Sequence, residues 1–181
     1  MLGNNAGFRV SPVTIHVPLS KVPMLLSEDL LRHSILTLNH HLLSECAIKR
    51  PKILVTGLNP HAGENKTISK DDSKYLSPII EHLKNKKINI KGPVSGDGMI
   101  NDYNIKNYQI FIFTYHDQAL IPFKIISNYE GVNFTSNLSI IRTSPSHGTA
   151  ESLINSNRAS SKGIINCFKL ISKISKNREI K

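Results

Sequence analysis

Hydrophobic residues along this chain fall into short apolar runs separated by longer segments with helical spacing. The runs at 52–58 and 108–116 are rich in β-branched and aromatic residues, and they predict two buried strands. The alternating segment 9–16 predicts a third strand. Pro12 within it favours an edge strand or a bulge, because proline cannot donate to a sheet.

Leucine and isoleucine recur at helical spacing between these strands. This pattern predicts helices from Ser27 to Ala47, from Asp72 to Lys86 and from about Ser160 to Ser175. Ser27, followed by two acidic residues, is a suitable amino-terminal cap for the first helix. Segment 88–100 predicts a short strand and a Gly/Pro loop, and segment 124–144 predicts short extended runs and turns.

The order strand, helix, strand, helix, strand predicts βαβ units and a mostly parallel sheet. Residues 1–181 would then form a single α/β domain. In such a sheet the carboxyl ends of the strands lie at one edge, which is where ligands bind.

A histidine follows each of the first three predicted strands: His16, His61 and His116. Three imidazoles with open coordination positions are typical of a catalytic divalent-metal site. Asp117 and Asn59 are candidates to orient the imidazoles. The alternative, that each is a solvated loop histidine, stays open. The histidines in predicted helices, 33, 40, 41 and 82, are interpreted as surface or partly buried residues.

The net charge of +10, from 23 Lys and Arg against 13 Asp and Glu, raises the question of nucleic-acid binding. The basic residues are scattered and are not interleaved with aromatic residues, as they would be in a single-strand binder. We therefore expect no nucleic-acid partner.

Other sequence features bear on location. We find no apolar run long enough for a membrane span and no signal peptide, so we expect a cytoplasmic protein without a membrane partner. Cys46 and Cys167 belong to no CxxC pair and indicate no disulfide framework.

Six motifs in one order carry a resemblance to a known family. They are TIHVPL at 14–19, VTGLNPHAGEN at 55–65, GPVSGD at 92–97, YHDQ with P-x-K at 115–124, GVN-x-T at 131–135 and IRTS-x-x-HGTA at 141–150. Together they resemble the 4-hydroxythreonine-4-phosphate dehydrogenases of pyridoxal phosphate biosynthesis.

The resemblance implies an α/β/α sandwich of the isocitrate and isopropylmalate dehydrogenase-like type. It implies a homodimer whose active site is shared between subunits. The implied substrate is a small phosphate ester, 4-phosphooxy-L-threonine. NAD(P)+ would oxidise its secondary alcohol, with help from a divalent metal (Zn²⁺, Mg²⁺ or Co²⁺), and decarboxylation would yield an aminoketone phosphate.

Carried over by position, His16, His61 and His116 match the three metal ligands of the family. A second set matches its substrate-binding residues: Lys124, Asn133 and Arg142. The segment HGTA at 147–150 resembles the cofactor loop of the wider dehydrogenase superfamily. No catalytic acid or base is assigned.

The resemblance also implies that this chain corresponds to the carboxyl-terminal part of family members. The sandwich would then be incomplete, with the amino-terminal half missing. Two alternatives to an active enzyme follow. One is an inactive remnant, and the other is one half of a split enzyme that binds metal or phosphate and needs a partner to supply the missing half.

Overall fold

The computed structural model describes residues 1–4, 6–149, 151–156 and 158–179. These residues form a mixed seven-stranded sheet with the order β4-β3-β5-β2-β1-β6-β7. The strands are β1 (Leu2–Gly3), β2 (Arg9–Pro12), β3 (Ile53–Thr56), β4 (Ile90–Val94), β5 (Ile110–Phe113), β6 (Val132–Thr135) and β7 (Arg142–Pro145).

The helices are α1 (Val22–Leu25), α2 (Glu28–Ser44), α3 (Ser77–Asn85), α4 (Gly96–Met99), α5 (Asp102–Asn107), α6 (His116–Ser127) and α7 (Lys162–Glu179). A π-helical turn, Asp72–Leu76, leads directly into α3. Short 3-10 segments occur at Leu19–Lys21, Pro60–Lys66, Asn128–Glu130 and Glu151–Leu153.

Strands β4, β3, β5 and β2 are parallel neighbours, whereas β1 is antiparallel to β2 and β6, and β7 is antiparallel to β6. The prediction of a mostly parallel sheet is therefore correct for the four-stranded half and wrong for the half that contains β1, β6 and β7. The prediction that the strand containing Pro12 lies at an edge is wrong, because β2 pairs with both β1 and β5. Pro12 is nevertheless tolerated. It is the last residue of β2, beyond the two residues that pair with β1, so its missing N–H removes no bond to that strand.

The central strands are buried on both faces because helices pack on both sides. On one face Ile53, Val55, Ile110 and Ile112 form a cluster with apolar residues of α1, α2 and α3. On the other face Leu54, Phe111 and Phe113 pack with Val10 of β2, Met99 of α4, and Ala119 and Phe123 of α6. The described core is therefore an α/β/α arrangement, as predicted.

Helix α2 begins where the sequence predicts that it begins. The Ser27 hydroxyl accepts a hydrogen bond from the Leu30 amide at 3.2 Å, which confirms the predicted cap. The helix ends at Ser44, earlier than predicted, and Ala47 has a left-handed φ of 55°. The predicted helix from Asp72 is also present, with its first five residues wound as the π-helical turn.

Helix α6 differs from the sequence prediction, which gives no helix after the YHDQ motif and only short extended runs and turns over 124–144. The helix contains Pro122, and Ile121 and Ile125 are exposed. The apolar stripe that normally identifies a helix is therefore blurred. The amino-terminal turn of α6 carries His116, Asp117 and Gln118.

Within the described ranges, none of the helices has the length and apolar character that a membrane crossing requires.

Candidate functional site

The loops that carry the three histidines leave the same edge of the sheet. His16 follows β2, His61 follows β3 and His116 follows β5, and β5 lies between the other two strands. Since the three strands are parallel, their carboxyl ends lie side by side. The three histidine-bearing loops therefore start from the same edge of the sheet.

His16 and His116 are in direct proximity, with ring centroids 5.5 Å apart and an interplanar angle of 46°. His16 has a left-handed φ of 48°. Both rings line a cleft of about 240 Å³, together with Thr14, Tyr115 and Asp117.

Asp117 orients the His116 ring. One carboxylate oxygen of Asp117 lies 2.7 Å from His116 Nδ1. This contact leaves Nε2 as the ring nitrogen free to bind a ligand, as in metal sites where a carboxylate holds the ligating histidine. The sequence-based expectation for Asp117 is consistent with this geometry.

His61 lies in an unusual turn. Six consecutive residues from His61 to Lys66 have φ between 42° and 79°. A left-handed conformation costs roughly 1–2 kcal/mol for each residue that is not glycine. Gly63 relieves this cost at one position, where a Cβ would collide with the carbonyl oxygen of Ser69. The surrounding structure must therefore hold the turn.

Asp72 is a strong anchor for this turn. Its carboxylate is 1% exposed and accepts hydrogen bonds from the Leu58 amide at 2.6 Å and the Asn59 side-chain amide at 3.0 Å. The Asn59 backbone amide contributes a third, longer bond at 3.3 Å. Asn59, a sequence candidate to orient a histidine, thus contacts Asp72 instead.

The loop after β4 meets the His61 turn. The Ser95 hydroxyl lies 3.3 Å from His61 Nδ1, and it also contacts the Asp97 carboxylate. The Ser95 hydrogen bond, followed by that of the Gly98 amide, holds the pKa of Asp97 below its usual range. His61 lines a separate cleft of about 430 Å³, with Lys66 and Ser73 among the other lining residues.

Within the described part of the chain, no three His, Cys, Asp or Glu side chains are grouped closely enough to hold a metal ion. His16 and His116 are brought together, and His61 occupies the neighbouring cleft. The donor chemistry fits a divalent cation, because an oriented imidazole and a second adjacent imidazole are nitrogen ligands of the kind that Zn²⁺ and Co²⁺ accept.

Of the predicted substrate residues, Lys124 shares helix α6 with His116, and the other two lie on β6 and β7. Lys124 is exposed on α6, Asn133 is half-buried in β6, and Arg142 is exposed at the start of β7. Arg142 pairs with Thr135 across β6 and β7 and donates a 2.9 Å hydrogen bond to its hydroxyl. In the described residues no hydrogen bond joins these three side chains to one another or to the histidines.

β6 runs parallel to β2, because both are antiparallel to β1. The carboxyl end of β6, and hence Arg142, therefore lies at the same sheet edge as the histidines. β7 is three strands from β2, which is about 14 Å at the usual spacing.

In the segment that resembles a cofactor loop, His147 Nδ1 lies 2.9 Å from the Gly148 carbonyl oxygen, and both residues are exposed. Ala150, the last residue of HGTA, lies outside the described residues.

Two polar groups at this edge escaped the sequence analysis. The sequence pattern predicts Asp72 only as the start of a helix and Gln118 only as part of the YHDQ motif. Gln118 bonds to both Thr114 and Gly57. The available signal was the presence of polar side chains directly after, or opposite, the ends of buried strands.

Comparison with known proteins places these features in context. Residues 1–171 match the family model described as "Pyridoxal phosphate biosynthetic protein PdxA". Among curated proteins, the chain is 36% identical over 162 residues to a 4-hydroxythreonine-4-phosphate dehydrogenase of Paracoccus denitrificans. That alignment covers 90% of this chain and 50% of the relative. A protein of the same name from a Ruegeria species is 36% identical over 179 residues, covering 99% and 55%.

A solved structure is also similar. The crystal structure of a 4-hydroxythreonine-4-phosphate dehydrogenase from Burkholderia phymatum superposes with a TM-score of 0.80 at 26% identity. The match covers 96% of this chain and 52% of that one. The chain therefore spans about half the length of the curated relatives and of the structure that it matches.

Proposed function

Because the chain belongs to the family of the pyridoxal phosphate biosynthetic protein PdxA, we propose that it provides the metal and substrate site of a 4-hydroxythreonine-4-phosphate dehydrogenase. Its relatives carry that name and are oxidoreductases. The proposed reaction oxidises the secondary alcohol of 4-phosphooxy-L-threonine with NAD(P)+, and the resulting β-keto acid loses carbon dioxide. The product is an aminoketone phosphate.

One observation carries this proposal: the three histidine-bearing loops leave the same edge of the parallel sheet. We propose His16, His61 and His116 as the metal ligands. A divalent metal bound there would polarise the substrate hydroxyl and stabilise the negative charge that develops on it. The contact between His116 and Asp117 supports this role, because it fixes the ring before any ligand arrives.

A homodimer is part of the proposal. His16 and His116 lie in one cleft and His61 in the next. A site shared between subunits would combine histidines from two chains, so one chain need not gather all three ligands. The isocitrate dehydrogenase-like fold type, the incomplete sandwich and a cytoplasmic location are proposed on the same family basis.

The substrate carries a phosphate and a carboxylate, so cationic side chains are required. Lys124 would supply a point charge, and Arg142 a planar fork that can bind two oxygens at once. Asn133 would donate from its amide. The bound nicotinamide would accept the hydride, and the protein's task would be to position the two reactants. Residues 147–149 are the candidates to approach the cofactor.

A second candidate function is favoured by the chain's span of about half of its relatives. In this alternative the chain is one half of a split enzyme, or an inactive remnant. It would bind metal or phosphate, and a partner polypeptide would have to supply the other half for turnover.

The test is a spectrophotometric assay of the purified chain. It contains 4-phosphooxy-L-threonine, NAD+ or NADP+, and Zn²⁺, Mg²⁺ or Co²⁺ in turn. We expect reduced nicotinamide to form, and we expect His116→Ala or His61→Ala to abolish its formation. His82→Ala is the matched control, because His82 is exposed on α3, away from the strand ends.

Each outcome separates the candidates. Turnover that survives His116→Ala refutes the metal assignment. Metal binding without turnover, with turnover restored by the amino-terminal half of a relative, supports the split enzyme. If the chain shows neither metal binding nor turnover under any of these conditions, the active enzyme and the split enzyme are both refuted. The inactive remnant is then the candidate that is left.

A further inference from the structure

Gln118 makes hydrogen bonds to two neighbouring strands at the candidate site. Its side-chain oxygen accepts from the Thr114 amide at 3.0 Å and from the Thr114 hydroxyl at 2.8 Å. Its side-chain nitrogen donates to the Gly57 carbonyl oxygen at 3.0 Å. Thr114 directly follows β5 and Gly57 directly follows β3. One amide therefore joins the carboxyl ends of these two strands.

The regular ladder between β3 and β5 ends just before this point. The last paired residues are Val55 and Ile112. Beyond them the Gln118 side chain connects the two segments through its hydrogen bonds to Thr114 and Gly57. The amide supplies both a donor and an acceptor. Charged and apolar side chains of similar size do not combine the two.

The connection continues to the third strand through Thr14. The Thr114 carbonyl oxygen accepts from the Thr14 hydroxyl at 2.9 Å and from the Thr14 amide at 3.2 Å. Thr14 and Thr114 are both nearly fully buried, at 4% and 0% exposed. Water therefore does not compete for these bonds, and the network spans β2, β5 and β3 without a break.

Each residue fixed by this network lies shortly before one of the three histidines. Thr14 precedes His16 and Thr114 precedes His116 by two positions each. Gly57 precedes His61 by four positions. A shift at any of these anchors would therefore move an imidazole relative to the other two.

We propose that Gln118 is a positioning residue that sets the spacing between the histidine-bearing loops after β3 and β5. The proposal rests on the proposed function, because the spacing matters for chemistry only if the histidines bind a common ligand. Gln118 touches neither substrate nor metal in this role; it acts through Gly57 and Thr114.

The chain provides a matched control at the opposite end of the same two strands. Gln109 directly precedes β5, and its side-chain oxygen accepts from the Lys52 amide at 2.8 Å. The Gln109 amide donates to the Lys52 carbonyl oxygen at 2.9 Å. Gln109 thus also joins β3 to β5, but at the amino ends, away from the histidines.

The test compares Gln118→Leu with Gln109→Leu in the purified chain. The probe is Co²⁺, whose visible absorption reports on its ligands and geometry. We expect Gln118→Leu to weaken Co²⁺ binding about tenfold or more and to change the spectrum, as losses of groups that hold metal ligands do. Gln109→Leu should leave both affinity and spectrum unchanged, although it removes a comparable hydrogen bond between the same strands.

If Gln118→Leu does not fold, Gln118→Glu is the milder variant. It keeps the acceptor for Thr114, and it replaces the donor to Gly57 with a carboxylate oxygen that faces the Gly57 carbonyl oxygen. We expect it to weaken Co²⁺ binding in the same direction. Equal losses in the Gln118 and Gln109 variants, or no loss in either Gln118 variant, would overturn the proposal.

A second readout separates this inference from the proposed function. If the unaltered chain binds no Co²⁺, the metal assignment fails, and amide hydrogen exchange then decides the positioning role. Gln118→Leu or Gln118→Glu should speed exchange in segments 57–66 and 114–118 together, and Gln109→Leu should not. Unchanged exchange in both segments would refute the role of Gln118.

Discussion

Removal of the Asp72 carboxylate should destabilise the chain strongly, because this group holds the turn that presents His61. Asp72→Ala deletes an almost fully buried acceptor of three hydrogen bonds. It leaves the amides of Leu58 and Asn59 facing a small apolar side chain.

The magnitude follows from the two shorter bonds, at 2.6 and 3.0 Å. A hydrogen bond to a charged acceptor contributes about 1.5–3 kcal/mol net. Loss of both should lower the free energy of unfolding by roughly 3–6 kcal/mol, a large share of the ~5–15 kcal/mol typical of a folded domain. Asp72→Asn keeps the shape but turns an N–H group toward another donor, and it should cost about 2 kcal/mol.

The assay is urea unfolding followed by circular dichroism at neutral pH. Asp71→Asn is the control, because Asp71 is adjacent and half-buried, and its side chain makes no hydrogen bond to any described residue. We expect the control to change the free energy of unfolding by no more than about 0.5 kcal/mol.

Two results would contradict this role of Asp72: a cost of less than about 1 kcal/mol for Asp72→Ala, or an equal cost for Asp71→Asn and Asp72→Ala. In the first case the turn does not depend on this carboxylate. In the second case the effect is a general response to lost negative charge, and the specific hydrogen bonds do not matter.

Two further predictions concern the buried His41 and the half-buried pair of Arg178 and Glu45. Burial lowers the pKa of His41 to about 4. The imidazole of His41 takes up a proton near pH 6.5 in the unfolded chain but only near pH 4 in the folded chain. The free energy of unfolding should therefore fall by up to about 3 kcal/mol as the pH is lowered from 6.5 to 4. Urea midpoints measured across this range should show the loss, and His41→Leu should flatten it; an unchanged slope in that variant would contradict the assignment. Arg178 binds Glu45 through two nitrogens, with a shortest distance of 2.7 Å, and neither side chain is more than 30% exposed. Arg178→Lys keeps the charge but loses this fork. We therefore expect it to lower the free energy of unfolding by about 1–2 kcal/mol. Arg32→Lys, at the exposed pair with Asp29, should cost close to nothing in the same urea titration, and equal losses would refute the role of the fork.

The local pattern of the sequence was sufficient for the elements with a clear periodicity. The buried strands β3 and β5 and helix α2 follow directly from neighbouring residues. The cap at Ser27 was predictable for the same reason, since its hydrogen bond spans only three residues. The histidines at the strand ends were also visible, because a polar group after an apolar run can be read along the chain.

Helix α6 could not be predicted from the local sequence pattern. Its exposed isoleucines and its proline hide the amphipathic pattern. The position of β2 within the sheet failed for another reason, since the two-residue strand β1 that covers it is recognisable only by its pairing. The placement of β5 between β2 and β3 likewise depends on which apolar faces pack together.

The sequence by itself thus determined that three histidines follow three core strands and that helices separate them. Tertiary structure decided that His16 and His116 meet and that His61 lies in the next cleft. It also decided that Gln118 reaches Gly57 across 61 residues and that Asp72 holds the His61 turn. The physical reason is that periodicity is set between neighbouring residues, whereas these hydrogen bonds exist only after the sheet has brought distant segments together.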